Sequence, residues 1–252
     1  MATDRDTADI FRPHSTRPSY LTYADLQIPE QGRLVPFALW PTQRLLDARF
    51  GERNIIWKER QAGSTAFVVG RFVLNAIHRP GSQYVLIGHD ENEAASMFYM
   101  AGRFVESLPP GSGGDWNNVV GVPGPRRLAL GKYSGESVLD FGAPCQAETL
   151  TRGRSLAGIY CSELERWNDK LNLRSILALA GRALSLTGEL VVDGTPFCDS
   201  NCGASFPRYV PSGMGKEEDI EEKWDKDFME LWRGALRYGY TRHYLPADYT
   251  RK

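Results

Sequence analysis

The sequence predicts an α/β fold with a mostly parallel central sheet flanked by helices. Three observations lead there. Short apolar runs of strand length, "NIIW", "QYVLIG", "SVLDFG", "LAGIYC" and "GELVVDGT", recur along the chain, and amphipathic runs of helix length lie between several of them. Strands alternating with helices build parallel sheets through crossover connections. At 252 residues the chain is long enough to bury a sizeable core.

The elements follow in order. Residues 1–34 are polar and proline-rich without a sustained period, and read as an N-terminal arm or docking segment. A helix is expected to start at Pro41, whose fixed φ suits a first helical position, with Leu45, Leu46 and Phe50 at helical spacing. The strand "NIIW" leads into a tight polar turn and a helix over 65–78, ended by "RPGS". A second strand (83–88) and a helix (91–108) follow. Residues 109–127, "PPGSGGDWNNVVGVPGPRR", read as a long loop of the kind that carries function or moves. Strands are expected at 137–142, 156–163 and 188–195, and a helix at 171–184, "LNLRSILALAGRAL". These make one domain over 35–206. The tail, 207–252, carries a charged helix with Ile220, Trp224, Phe228 and Leu231 on one face, then "YTRHYLPADYTRK", a strand or a linker.

Composition narrows the function. No apolar run approaches the roughly 18 residues of a membrane span, and the N-terminus lacks a secretion signal, so a reducing cytoplasm and free thiols are expected. A net charge of −1 gives no global footprint for nucleic acid. Contact with DNA would need a local patch, for which Arg126, Arg127, Arg152, Arg154, Arg166, Arg174 and Arg182 are candidates.

The chemistry concentrates at "IIWKERQAGSTAF" (55–67), a strand, a turn and a helix start. A phosphate-binding loop of the form G-x-x-x-x-G-K-[ST] places its lysine next to the hydroxyl residue. In register, Gly63 is the second glycine and Thr65 the hydroxyl, but Ser64 stands where the lysine belongs and Lys58 where the first glycine does. Such a loop works by aiming backbone N–H groups and a helix N-terminus at an anion, with a cation neutralising the outer phosphates. Lys58 can supply that cation from the loop's entrance, and Arg60 offers a second, planar one. An ordinary strand-to-helix turn is the other reading.

About a hundred residues on, "AGIYCSE" ends an apolar strand in Ser162 and Glu163, at the strand end where parallel sheets bind ligands. Nucleoside triphosphatases use this position to organise Mg²⁺ and orient the attacking water. Ser162 would meet magnesium through its hydroxyl or a bound water, and Glu163 would be the general base. "VVDGTPF" brings Thr195 to the tip of another strand, and Gln43 precedes the first strand, where an amide can read an adenine edge.

The order Gln43, Lys58 to Thr65, Ser162-Glu163 and Thr195 resembles the N-terminal ATPase domain of large terminases, the DNA-packaging motors of tailed bacteriophages. Arg60-Gln61-Ala62-Gly63-Ser64-Thr65 is similar to that family's variant loop, and Ser162-Glu163 to its acidic strand. The resemblance spans roughly residues 35–200. It implies a magnesium-dependent ATPase of the P-loop class with an extra strand between its two nucleotide motifs. Gln43 would contact adenine; Lys58 and Arg60 the phosphates, within a loop completed by Gln61, Ala62, Gly63 and Ser64; Thr65 and Ser162 magnesium; Glu163 the water. Thr195 would couple hydrolysis to movement. An arginine acting in the neighbouring subunit's site would be Arg154 or Arg152. The implied ligands are ATP and Mg²⁺. The implied partners are double-stranded DNA, a portal protein, a small terminase subunit and further copies in a ring, at the portal vertex of a procapsid in the host cytoplasm. On this reading 207–252 resembles a lid or linker, and the family's nuclease domain would belong to a longer protein or another chain.

Two rivals stand beside it: a helicase-like nucleic-acid-dependent ATPase, and an interaction domain that lost its chemistry with Ser64. Other signals are set aside. "LGKYSG" (130–135) lacks the first glycine of a phosphate loop and reads as a hairpin turn. Cys198 and Cys202 have no second ligand pair nearby. The four histidines are dispersed, with His89 the one placed to approach the site.

Overall fold

A computed structural model describes residues 21–58, 62–108, 116–119, 126–130, 135–167, 183–195, 232, 234 and 240–245. Among them, the first layer of order is a short hairpin, β1 (Gln27–Glu30) and β2 (Arg33–Pro36), then helix α1 (Pro41–Ala48). The main alternation runs β3 (Arg53–Lys58), α2 (Ser64–His78), β4 (Gln83–Ile87), α3 (Glu91–Ser107), β5 (Trp116–Val119), β6 (Arg126–Leu130), β7 (Ser137–Gly142), α4 (Ala147–Thr151), β8 (Leu156–Cys161), β9 (Leu184–Gly194) and β10 (Thr241–Leu245).

Eight strands form one sheet in the order β10-β3-β9-β8-β4-β7-β6-β5. It is parallel from β10 through β7, and β6 and β5 add an antiparallel edge. Parallel crossovers are right-handed, so the direction of each step across the sheet decides which face its helix covers. The steps β3-α2-β4 and β4-α3-β7 move toward the β5 edge, and the step β7-α4-β8 moves back. Helices α2 and α3 accordingly pack on one face with Ile56, Tyr84, Leu86, Phe141, Tyr160 and Val191, and α4 packs on the other with Ile55, Val85, Ile87, Ile159 and Val192. Alternate residues of single strands thus feed two cores, which is why these strands read as continuous apolar runs. Gly158 lets α2 press close: a Cβ there would lie 2.7 Å from the Tyr84 ring and 2.8 Å from the Phe72 ring.

Two segments differ from the sequence expectation. Residues 21–34, read as part of an arm, lie with 35–37 on the α2–α3 face, with Leu26 buried, Tyr23 stacked on Phe67 at 5.3 Å and Phe37 on Phe104 at 5.8 Å. The loop expected over 109–127 contains β5 and the start of β6. An edge hairpin needs apolar residues on one face only, so its pattern is masked by the flanking glycines and prolines. In the tail, where a strand or a linker was expected, 241–245 is the strand β10, pairing in parallel with β3 from Thr241↔Asn54 to Leu245↔Lys58. The helix expected over 171–184 lies outside the described residues apart from Ala183 and Leu184, and β9 already begins at Leu184; Cys198 and Cys202 lie outside them as well. Cys145 and Cys161 are free thiols.

His243 of β10 is buried, stacked on Phe50, with its Nε2–H donating to Asn54 Oδ1 at 3.0 Å. Asn54 in turn clamps Gly51 through both its amide atoms. Burial, aided by the charge of Arg49, pushes the His243 pKa down to about 4. The unfolded chain, with a histidine pKa near 6.5, therefore takes up this proton first as pH falls. The contribution of His243 is complete above about pH 6.5 and is lost as pH drops toward 4. Between pH 7 and pH 4.5, urea unfolding of the wild type is expected to lose about 2 to 3 kcal/mol more than that of His243→Gln, which keeps a donor and cannot titrate.

Candidate functional site

The period of two along a strand assembles the site. Lys58 follows Ile56, Ser162 follows Tyr160, and Asp193 and Thr195 follow Val191, so all point to the α2 face. Because β9 lies between β3 and β8, the C-terminal ends of three adjacent parallel strands deliver these groups beneath the N-terminus of α2.

Gly63 begins α2 with φ +70, a left-handed conformation that favours glycine, and a Cβ there would sit 2.7 Å from Gln43 Nε2. Gln43 is itself buried. Its Oε1 accepts from the Trp40 N–H at 3.0 Å, at the start of α1, and its Nε2 donates to the Gly63 carbonyl at 3.0 Å. The Gln43 amide thus ties the Gly63 turn to the start of α1, and a base would meet it only where those bonds opened. Ala62 is buried beside Gly63, while Arg60 and Gln61 lie outside the described residues.

Lys58 reaches the site from the loop's entrance, its Nζ 3.4 Å from Glu163 Oε1 and 3.2 Å from Thr195 Oγ1. Ser64, which stands in the lysine's usual place, turns inward and donates to Asp193 Oδ2 at 2.7 Å. The Tyr160 hydroxyl donates to the same oxygen at 2.7 Å and lies 3.3 Å from Ser162 Oγ and 3.5 Å from Thr65 Oγ1. Complete burial, with Asp193 alongside, raises the Tyr160 pKa far above the ordinary value, so it remains a donor. Thr65 and Ser162, the expected magnesium ligands, therefore converge on one phenol oxygen. Ser162 is fully buried and donates to Glu93 Oε1 at 2.6 Å.

Glu163 sits just past β8 with φ 48, in the left-handed region, and its N–H donates to Asp193 Oδ1 at 2.8 Å. Its Oε2 lies 3.1 Å from Arg166 and 3.3 Å from His89 Nδ1. His89 Nδ1 also lies 2.6 Å from Glu93 Oε2, and its Nε2 is 3.4 Å from Arg166. Nδ1 thus faces the carboxylates of Glu93 and Glu163, and Nε2 faces Arg166 and, at 3.5 Å, Asp90 Oδ2. His89, Glu93 and Glu163 each offer a ligand atom, all within 4.8 Å of one another. With Arg166 and Lys58 already on Glu163, these residues form an ion-pair cluster.

Sequence reasoning missed Asp193, Glu93, Tyr160 and the contribution of Arg166. An acid inside the apolar run "VVDGT" and the His89/Glu93 spacing of four at a strand end were the available signals. The two arginines behave differently from the strand-end groups. Arg154 is bonded to the nearly buried Asp140, which also pairs with Arg127 at 2.7 Å, and Arg152 is exposed and paired with Glu148. Both precede β8, at the end opposite Glu163, and neither enters this chain's own site.

No protein-family model matches the sequence, and no curated protein does. Among solved structures, the fold is similar to that of the large terminase of bacteriophage HK97 (17% identity, TM-score 0.56, covering 91% of this chain and 43% of that one). It is also similar to the large terminase ATPase domain of Thermus phage P74-26 (17%, 0.53, 64% and 66%) and to the large terminase of the thermophilic bacteriophage D6E in complex with ADP (11%, 0.51, 77% and 40%). The chain spans 43% and 40% of the length of the HK97 and D6E proteins. The shared architecture is an α/β fold with a mostly parallel central sheet flanked by helices, in which β9 lies between β3 and β8.

The structural role of Gln43 is measurable without any nucleotide. Gln43→Ala leaves the Gly63 carbonyl and the Trp40 N–H without their partner and is expected to cost about 1–3 kcal/mol in urea unfolding. A value near zero would mean that the side chain is held for a ligand instead.

Proposed function

We propose that the chain is the ATPase motor domain of a phage large terminase, hydrolysing ATP to drive double-stranded DNA into a procapsid. The observation that carries this is the convergence of Lys58, Glu163 and Thr195 at the ends of β3, β8 and β9, under the N-terminus of α2. The fold it shares with terminase ATPase domains, one of them solved with ADP, supports the same reading.

The triphosphate would lie against the N–H groups that open α2, with Lys58 turning from Glu163 to the outer phosphates. That turn frees Glu163 Oε1 to accept a proton from water as its oxygen attacks the γ-phosphorus. The bond from that phosphorus to the bridging oxygen breaks, leaving ADP and phosphate. Magnesium bound with the nucleotide supplies charge neutralisation at the phosphates. The hydroxyls of Thr65 and Ser162, both gathered at Tyr160, are the groups that fit it. Thr195 contacts Lys58, so a change at the phosphates is felt by β9.

In the assembled motor, copies of the chain would form a ring on a portal protein at the procapsid vertex in the host cytoplasm, supplied with DNA by a small terminase subunit. DNA would be held by its backbone phosphates, as translocation regardless of sequence requires. Arg152, with its side chain 78% exposed, can reach a neighbouring site by exchanging a surface pair; Arg154 would have to leave Asp140.

Glu163→Gln is expected to bind Mg·ATP within about twofold of wild type and to lose turnover by about 100-fold or more. Lys58→Ala should weaken Mg·ATP binding about tenfold, near 1.4 kcal/mol. Isothermal titration and phosphate release in the motor assembled on DNA measure both, and wild-type turnover in Glu163→Gln would overturn the assignment.

A further inference from the structure

We infer that Asp193 is a positioning residue that holds Glu163 at a set distance from the N-terminus of α2. The inference rests on the ATPase reading above, in which Glu163 is the base and α2 carries the phosphate loop. Asp193 is fully buried on β9, and both its oxygens are engaged. Oδ1 accepts the Glu163 N–H at 2.8 Å, and Oδ2 accepts from Ser64 at 2.7 Å and from Tyr160 at 2.7 Å. One carboxylate thereby joins Ser64, the first residue of α2, to Glu163, the second residue after β8.

An unpaired buried carboxylate is costly, and three donors meet this one. The backbone conformation of Glu163 gives the bond its purpose. With φ 48 a glutamate is in a region it seldom adopts, and such a conformation persists when its surroundings over-determine it. The Asp193 bond to the N–H and the Trp167 indole bond to the Ser162 carbonyl at 2.9 Å fix this corner from both sides. The side chain of Glu163 can then exchange partners among Lys58, His89 and Arg166 while its backbone stays in place.

The test compares Asp193→Leu, which keeps similar bulk and removes every acceptor, with Asp193→Asn, each alone and combined with Glu163→Gln. Steady-state turnover of Mg·ATP by the assembled motor and amide hydrogen exchange of Glu163 are the readouts. Asp193→Leu is expected to lower kcat about 100-fold with KM within about threefold, since a base misplaced by about 1 Å costs that much. Asp193→Asn should recover kcat to within about tenfold of wild type: one oxygen still accepts the Glu163 N–H, and the hydroxyls of Ser64 and Tyr160 can turn to accept from the amide. In the Glu163→Gln background Asp193→Leu should change turnover by less than about twofold, as residues acting as one unit are not additive.

Wild-type kcat in Asp193→Leu, or a full second loss on top of Glu163→Gln, would overturn the inference. If Asp193→Leu does not fold, Ser64→Ala removes the α2 side of the link and should lower kcat about tenfold at unchanged KM, again without effect in Glu163→Gln. If Glu163→Gln keeps wild-type turnover, the ATPase assignment of Glu163 fails instead. The exchange measurement then still decides the positioning, which requires faster exchange of the Glu163 amide in Asp193→Leu, or in Ser64→Ala where the leucine variant does not fold.

Discussion

The arrangement of the site depends on the insertion of β9 between β3 and β8. If β3 and β8, which bring up the Lys58 cation and the Glu163 carboxylate, were direct neighbours, they would lie about 4.8 Å apart. The inserted strand doubles that spacing and fills the gap with its own groups. Asp193 and Thr195 occupy it, one joined to Ser64, Tyr160 and the Glu163 backbone, the other to Lys58. The three strand ends therefore behave as one hydrogen-bonded unit, and the order of strands in the sheet is a condition for the chemistry as much as for the core.

The same network accounts for the places that Ser64 and Lys58 take. A lysine at position 64 would direct its cation from the first turn of α2. With serine there, the position becomes a short internal tie to Asp193, and the charge arrives from Lys58 at the end of β3. The change exchanges the roles of two positions. Lys58 and Arg166 both lie against Glu163, so the acidic end of β8 meets cations from two directions.

Much of this was legible in the sequence. The strands and the helices α2 and α3 announce themselves by period and by their breakers, and Lys58, Ser162, Glu163 and Thr195 come together as the motif order implied. Asp193 was passed over because local pattern treats an acid before Gly-Thr-Pro as turn chemistry; the parity of "VVDGT" was needed to see that it faces α2. Glu93 carried no signal in the sequence beyond its spacing from His89, and only the placement of β4 beside β8 brings it to Ser162. The segment 21–37 was misread because it is short and polar-flanked, and the rings it packs on, Phe67 and Phe104, lie far along the chain, where periodicity carries no information.

The pairing of β3 also sets a schedule for making the molecule. Its two neighbours are β9 and β10, which begin at Leu184 and Thr241, whereas the loop strand itself ends at Lys58. A chain emerging from the ribosome at about 5–20 residues per second exposes both edges of β3 for on the order of ten seconds before either partner exists. Through that interval an apolar strand with open edges is a template for wrong pairings. The polar ends of β3, Arg53-Asn54 on one side and Lys58 on the other, frame the apolar "IIW" and act as gatekeepers while the nascent chain waits.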